Sequence, residues 1–289
     1  MDRRNFLKSL AVAGGAVAAP ALAAHRKAAA PADAVGLLYD STRCIGCKAC
    51  VVACREANAL PPSSKGSLHD MQLELDGTTK NVIKLWKDEQ HPGVFAYMKQ
   101  QCMHCVDPSC VSVCMLGALK KGAQGVVTYD KDACIGCRYC QVACPFNVPK
   151  FEWYSATPKI VKCELCPERR AEGKVPACAE VCPREAVIFG KRADLLQEAH
   201  RRIERNPNAY QAKVYGEHDL GGTQVLYLAA VPFTKLGLPD KGTRSGASVS
   251  ESLQHGIYQG FIAPAVLYVG LAAAVLRNRK KGEEKGDES

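Results

Sequence analysis

Sixteen cysteines dominate the chemistry open to this chain, and they fall into four quartets. The first is Cys44, Cys47, Cys50 and Cys54; the second is Cys102, Cys105, Cys110 and Cys114. The third is Cys134, Cys137, Cys140 and Cys144; the fourth is Cys163, Cys166, Cys178 and Cys182. Quartets one and three share the spacing C-x2-C-x2-C-x3-C, while the second contains an x4 gap and the fourth an x11 gap. Three thiolates on so short a loop can wrap three irons of one cubane, provided the backbone turns tightly, which Gly46 and Gly136 permit. The last cysteine of each run sits about one helical turn further on and points the other way, toward a second cluster. The spacing therefore predicts up to four 4Fe-4S clusters with cysteine as the ligand throughout.

Three other uses of cysteine fit less well. Structural zinc also takes C-x-x-C pairs, but two pairs come from separate knuckles rather than one eleven-residue run. Disulfides suit an exported chain, yet disulfide frameworks do not repeat this spacing, and 289 residues is no small stapled scaffold. A lone C-x-x-C would suit thiol redox chemistry; four regular quartets do not. The run in quartets one and three is that of bacterial ferredoxins.

The elements that must hold these loops repeat as well. Tyr39-Asp40, three residues, then Cys44-Ile45-Gly46-Cys47 matches Tyr129-Asp130, three residues, then Cys134-Ile135-Gly136-Cys137, and the match continues through Val52-Ala53-Cys54 and Val142-Ala143-Cys144. Residues 35–39 and 126–129 read as short strands leading into cluster loops. After Cys114 and Cys182 the chain is expected to turn back, through Gly117-Ala118 and Glu185-Ala186, into further strands. Strand, cluster loop, short helix and strand, twice over, is an α+β fold of two ferredoxin-like modules. Residues 25–34 read as a flexible lead-in, 81–85 as a strand, and Pro61-Pro62 as a turn within the 55–101 connection. A helix is expected over 194–205, with Leu195, Leu196, Ala199 and Ile203 on one face, ending before Pro207. The Gly- and Ser-rich stretch 237–252 reads as a linker.

The two ends carry addresses. Arg3-Arg4-Asn5-Phe6-Leu7-Lys8, a small-residue apolar run, and Ala21-Leu22-Ala23 resemble a twin-arginine export leader over residues 1–23, in preference to a disordered basic start. Asp2 departs slightly from the usual Ser or Thr. That pathway moves folded proteins, which suits clusters inserted before export. The globular part is then 24–252. Residues 256–276 contain no charge, long enough at ~1.5 Å per residue to match a hydrocarbon core of about 30 Å, and a transmembrane helix is predicted over 253–277. Arg277, Arg279, Lys280 and Lys281 follow, so the charged tail 278–289 is assigned to the cytoplasm. A buried core helix is the weaker reading, because so charged a tail continues a core poorly. The formal charge of +9 would otherwise suggest nucleic acid. Leader removal takes away two positive charges, and four clusters at roughly −2 each bring the mature protein near neutral. Nucleic acid is therefore not expected as a partner.

The order of the quartets resembles the four-cluster electron-transfer subunits of formate dehydrogenases, molybdopterin sulfur-compound and dimethyl sulfoxide reductases, and periplasmic hydrogenases, over about residues 35–235. Within that set it is most similar to the electron-transfer subunits of hydrogenase-2-type nickel–iron hydrogenases. Carrying this are Asn81-Val82-Ile83-Lys84, Lys99-Gln100-Gln101-Cys102-Met103-His104-Cys105, Cys144-Pro145-Phe146-Asn147, Lys162-Cys163-Glu164-Leu165-Cys166 and Gln254-His255-Gly256-Ile257-Tyr258. Met115 and Arg55 stand where related sequences have proline, but neither is a ligand.

The resemblance implies a relay on the periplasmic face of the inner membrane. The hydrogenase small and large subunits would stand on one side and a multi-helix quinone-interacting membrane subunit on the other, with the chain anchored by its own single helix. It further implies shared ligand sets: Cys44, Cys47, Cys50 with Cys182 (cluster 1); Cys102, Cys105, Cys110 with Cys144 (cluster 2); Cys134, Cys137, Cys140 with Cys114 (cluster 3); and Cys163, Cys166, Cys178 with Cys54 (cluster 4). Service to a formate dehydrogenase or sulfur-compound reductase, or a cluster-bearing scaffold role, stay open as alternatives. No Ser-His-Asp set, phosphate loop or open-metal histidine set is present, so the chain is read as a non-catalytic carrier. His104 is expected to pack or hydrogen-bond beside a cluster rather than ligate it. Trp86 and Trp153 are expected to be packing residues, and Tyr139 to shield a cubane from water.

Overall fold

A computed structural model describes residues 28–61, 74–153, 155, 157–251 and 266–277. The body of the fold is the unit 27–247. Its sheet is built around β1 (Val35–Asp40), a run buried at every position after the first. β8 (Val187–Lys191) pairs with β1 antiparallel, Leu37 opposite Phe189, and β9 (Val225–Leu228) pairs with it parallel, Leu37 opposite Val225. Strands covered on both faces read as continuous apolar runs, as Leu37-Leu38-Tyr39 and Val225-Leu226-Tyr227-Leu228 do. At Gly36 a Cβ would lie 1.9 Å from the Gln224 carbonyl oxygen, so the close approach of these strands requires glycine there.

Between β1 and β8 in the chain lie the elements that carry the cysteine loops. α1 (Ala49–Ala57) follows the first cluster loop, and β2 (Asn81–Lys87) and β3 (Phe95–Gln101) form an antiparallel hairpin. α2 (Ser109–Ser112) precedes β4 (Leu119–Lys121), which pairs with β5 (Val127–Tyr129), Leu119 opposite Tyr129. α3 (Tyr139–Ala143) follows the third quartet's loop. β6 (Lys150–Phe151) and β7 (Ile160–Val161) form a second short hairpin, then come α4 (Pro167–Ala171) and α5 (Ala177–Glu180). α1 packs against α5, and α2 against α3. Quartet one is thus closed by the tail of quartet four, and quartet two by quartet three.

The expected strands at 35–39, 81–85 and 126–129, and the returns after Cys114 and Cys182, are all present. The expected helix is α6 (Arg192–Arg205), which buries Leu195 and Ala199 against Leu38, Leu226 and Leu228, with Leu196 and Ile203 packed alongside. Its Arg202 reaches through to Asp40, at 2.9 Å from a carboxylate that is fully buried. The lead-in to β9 ties the two modules together: the Gln224 N–H donates to Met103 O at 3.1 Å, and the Val106 N–H to Gly222 O at 2.9 Å.

Stretch 237–252 corrects the linker expectation over its described residues. Leu238 and Ala247 are buried, the Leu220 N–H donates to Gly242 O at 2.9 Å, and the Tyr215 hydroxyl donates to Pro239 O at 2.8 Å. A few apolar anchors in a Gly/Ser-rich run are enough to dock it, and residues 246–251 are helical. Of the predicted membrane span, 253–265 lies outside the described residues, as do the leader 1–23, Pro62 of the predicted turn, the lead-in through residue 27 and the tail 278–289. Residues 266–277 are helical and exposed, with Leu267, Tyr268, Val269, Leu271, Val275 and Leu276 all uncovered. Among the described residues no helix is long and apolar enough to cross a membrane.

Candidate metal centres

Each quartet begins as a tight loop whose third residue has a left-handed backbone: Gly46 (φ +69°), His104 (+47°), Gly136 (+71°) and Leu165 (+56°). This turn aims backbone N–H groups at sulfur. Gly46 N–H bonds the Cys44 thiol and His104 N–H that of Cys102, and the Leu165 N–H lies 3.4 Å from Cys163 Sγ. Such donors favour the thiolate that a metal ligand must be. At Gly46 any Cβ would meet the Tyr97 ring at 2.3 Å, so glycine there serves both the backbone and the close packing. Lys48 and Arg138 take a second left-handed turn and start α1 and α3 (φ 58° and 64°).

Two cavities open from these loops. One is lined by Cys44, Cys47, Cys50 and Cys182 together with Tyr39, Ile83 and Val187. The other is lined by Cys114, Cys134, Cys137 and Cys140 together with Leu116, Ile135 and Phe151. Both are small and largely apolar, as two sites for one kind of group would be. The remaining cysteines meet in two deeper sets. Cys54 has Cys163, Cys178 and Cys166 as neighbours, and Cys105 has Cys144, Cys102 and Cys110. The sets also adjoin one another, Cys50 near Cys178, Cys163 near Cys102, and Cys110 near Cys140.

The donor chemistry fits iron–sulfur clusters. All sixteen cysteines are free of disulfides. Burial, reinforced by the neighbouring thiols, pushes Cys50, Cys54, Cys110 and Cys140 up to about 12. Burial likewise raises Cys163 and Cys178 to about 11, although Lys99 opposes it. Such thiols stay neutral near pH 7 unless iron replaces the proton. Among the described residues no three His, Cys, Asp or Glu side chains converge closely enough to hold a single ion. Four sulfurs spread around a cavity instead match a cluster in which each thiolate has its own iron.

Two lysines here were not singled out by sequence reasoning. Lys99 on β3 is fully buried among Cys178, Cys50, Cys163 and Cys54; burial depresses its pKa, but these thiols more than offset that and raise it. Lys162 is buried beside Cys102 and Cys110, and its ammonium donates to Val127 O at 2.6 Å and Cys163 O at 3.2 Å. Lys121, near Cys105, is pulled down to about 8, by burial first. Buried cations survive only with anionic or polar partners. The available signal was position: each lysine lies one or three residues before a quartet, inside a buried stretch.

His104 is completely buried, and its Nδ1 accepts the Val127 N–H at 3.1 Å, leaving the proton on Nε2. Burial first, and then Lys162, Lys121 and Arg170, hold it well below the ordinary histidine pKa, so it is neutral in the loop. Trp86 packs against the main core. Trp153 departs from the packing expectation: it is 58% exposed, with the Arg138 guanidinium 3.9 Å above its ring. Tyr139, at the start of α3, is 56% exposed. The tyrosines that meet cysteine are Tyr39 and Tyr129, which hydrogen-bond Cys44 and Cys134. Their signal was the internal repeat itself.

Comparison with known proteins agrees with this chemistry. Residues 43–118 and 94–192 each match a family model described as a 4Fe-4S dicluster domain, and 1–20 match one for the twin-arginine translocation signal. The chain is 41% identical to the hydrogenase-2 operon protein HybA of Escherichia coli O157:H7, covering 99% of this chain and 98% of that protein. It is 36% identical to the iron-sulfur subunit of the nitrate-inducible formate dehydrogenase of Escherichia coli K12, covering 75% and 76%. The formate dehydrogenase iron-sulfur subunit of Haemophilus influenzae is 34% identical, covering 71% and 68%.

Proposed function

The chain belongs to the 4Fe-4S dicluster family that includes HybA, and on that premise we propose that it is the electron-transfer subunit of an exported hydrogenase. A bound 4Fe-4S cluster supplies a one-electron couple, and the protein supplies its place and surroundings. The observation carrying this reading is the cavity in which Cys44, Cys47 and Cys50 of one short run meet Cys182 from the far end of the fold. It supports the first of four ligand sets: Cys44, Cys47, Cys50 and Cys182; Cys54, Cys163, Cys166 and Cys178; Cys102, Cys105, Cys110 and Cys144; Cys114, Cys134, Cys137 and Cys140. The contacts between sets favour a path in that order, with the two deep sets in the middle. The linings are largely apolar, and Lys99 and Lys162 offset the negative charge of the deep sets.

The electron donor in this reading is the small subunit of a nickel–iron hydrogenase, joined to its large subunit. The acceptor is a multi-helix membrane protein that reacts with quinone. The match to a twin-arginine signal supports export. A membrane helix over 253–277, of which 266–277 is helical and uncovered, would fix the body to the periplasmic face, with Arg277 and the tail inside. A formate dehydrogenase partner is the second reading, favoured by the similarity to formate dehydrogenase subunits.

Affinity purification of the full chain from solubilised membranes separates the two. Co-purification of hydrogenase subunits, with clusters reduced by H₂, is expected; a formate-oxidising subunit in their place would transfer the assignment. Truncation after Ser252 is expected to leave a soluble, clustered protein. Quinone reduction by H₂ should then fall at least about tenfold while reduction of a soluble dye persists; unchanged quinone reduction would reject the anchor.

A further inference from the structure

The internal repeat places a tyrosine ahead of the first cysteine of quartets one and three, Tyr39 before Cys44 and Tyr129 before Cys134. Tyr39 lines the same cavity as Cys44, Cys47, Cys50 and Cys182, and its hydroxyl is hydrogen-bonded to the Cys44 side chain. The same hydroxyl donates to Tyr97 O at 2.8 Å. That carbonyl has a second donor, the Ser41 hydroxyl at 2.6 Å.

A phenol has one proton to give. While Cys44 is a thiol it can donate to the phenol oxygen, and Tyr39 remains free to serve the carbonyl. As an iron ligand, Cys44 has lost that proton, and its anionic sulfur would face the phenol's lone pairs. Turning the O–H to the sulfur removes the repulsion and makes a charge-assisted bond, while Ser41 still satisfies the carbonyl. Tyr129 reaches the same end differently. Its oxygen accepts the Ile160 N–H at 3.2 Å, which leaves its own proton for Cys134.

We propose that Tyr39 and Tyr129 donate O–H···S hydrogen bonds to Cys44 and Cys134 in the loaded protein and thereby raise the reduction potentials of the two outer clusters. Reduction adds one electron and makes the sulfur more negative, so a donor stabilises the reduced form more than the oxidised one. No covalent bond forms or breaks and no proton leaves; the hydroxyl only reorients. Tyr39 and Tyr129 are positioning residues in this account, acting through the cysteine. The inference rests on the cluster reading above.

The test is a redox titration of the anaerobically purified full chain followed by electron paramagnetic resonance, with iron content measured on each sample. Tyr39→Phe is expected to lower the midpoint of one cluster and Tyr129→Phe that of a different one. Each shift should be about tenfold in the reduction equilibrium, or ~59 mV for one electron, with iron content unchanged. Ser41→Ala, which leaves the cavity lining intact, should lower the first cluster by less, because Tyr97 O then draws the Tyr39 proton back. In the Tyr39→Phe background it should do nothing. Full iron content with unmoved midpoints in both phenylalanine variants would overturn the proposal, as would a Ser41→Ala shift of equal size in both backgrounds. A wild-type chain holding no clusters would overturn the electron-transfer reading as well, so the two failures are distinguishable.

Discussion

The first three cysteines of quartets one and three line the two outer cavities, while those of quartets two and four meet in the deeper sets, although all four use the same left-handed loop. In the outer pair the third loop residue is glycine, the residue after the first cysteine is an exposed isoleucine (Ile45, Ile135), and Cys47 and Cys137 face solvent. In the inner pair the third residue is a buried His104 or Leu165, held at positive φ despite the cost to a side chain. None of their eight cysteines is exposed, and a buried lysine accompanies each. The outer loops are thus shaped by backbone freedom and can be approached by a partner. The inner loops accept strain in exchange for burial, and they balance charge from within. A relay needs both kinds, accessible ends and a dry middle.

Substitution of ligands should break this comparison most sharply. On the proposed ligand sets, Cys178→Ala removes a fully interior sulfur beside Lys99. It is expected to open a hole in the core, to take one of four thiols from around that cation and to cost the chain its fold, seen as loss of soluble protein. Cys47→Ala at the surface should leave a folded chain short of one to four irons out of about sixteen. Equal damage from the two would erase the distinction between inner and outer.

The next effect compares the two copies of the repeat. Asp40 and Asp130 both accept the backbone N–H two residues on, at 3.0 Å. Asp40 is also buried against Arg202, at 2.9 Å, and accepts the Tyr210 hydroxyl at 3.0 Å, whereas Asp130 is exposed. Asp40→Asn removes one of the two carboxylates that hold Arg202, leaving Glu198 at 2.8 Å, and should cost about 2 kcal/mol in denaturant unfolding. Asp130→Asn should cost under about 0.5 kcal/mol.

The last effect is spread over both pairs and appears only in the cluster-free chain. Cys50, Cys54, Cys110 and Cys140 are raised from an ordinary value of 9.0 to about 12, chiefly by burial. A group whose pKa is raised on folding stabilises the fold fully below its unfolded pKa and loses that contribution as pH rises through the folded one. The thermal stability of the apo chain should therefore fall from about pH 9 to about pH 12. The loaded chain, its thiols already deprotonated by iron, should lack this slope. Parallel slopes in the two forms would contradict the thiol assignment.

What could be read from the sequence was local. Ligand spacing is a short-range constraint, so the quartets, their glycines and the flanking strands were legible from periodicity. That Cys182 meets Cys44 depends on the whole β1–β8 pairing, and before the structure it rested on resemblance alone. β9 and the Asp40–Arg202 bridge were not anticipated, because long-range pairings leave no local mark. Composition misled in two places. Gly and Ser in 237–252 suggested a loose linker, but Leu238 and Ala247 dock it. Aromatic character suggested packing for Trp153, but it follows β6 at the surface, with the Arg138 guanidinium over its ring. Lys99 and Lys162 were overlooked for the converse reason, since a lysine in or just after a strand ordinarily signals exposure.

The central claim is that four cysteine sets hold four clusters. Iron and acid-labile sulfide, determined together on the anaerobically purified mature chain, test it most directly. The expected result is about sixteen of each per chain, with negligible zinc. A stoichiometric amount of zinc with little sulfide would contradict it.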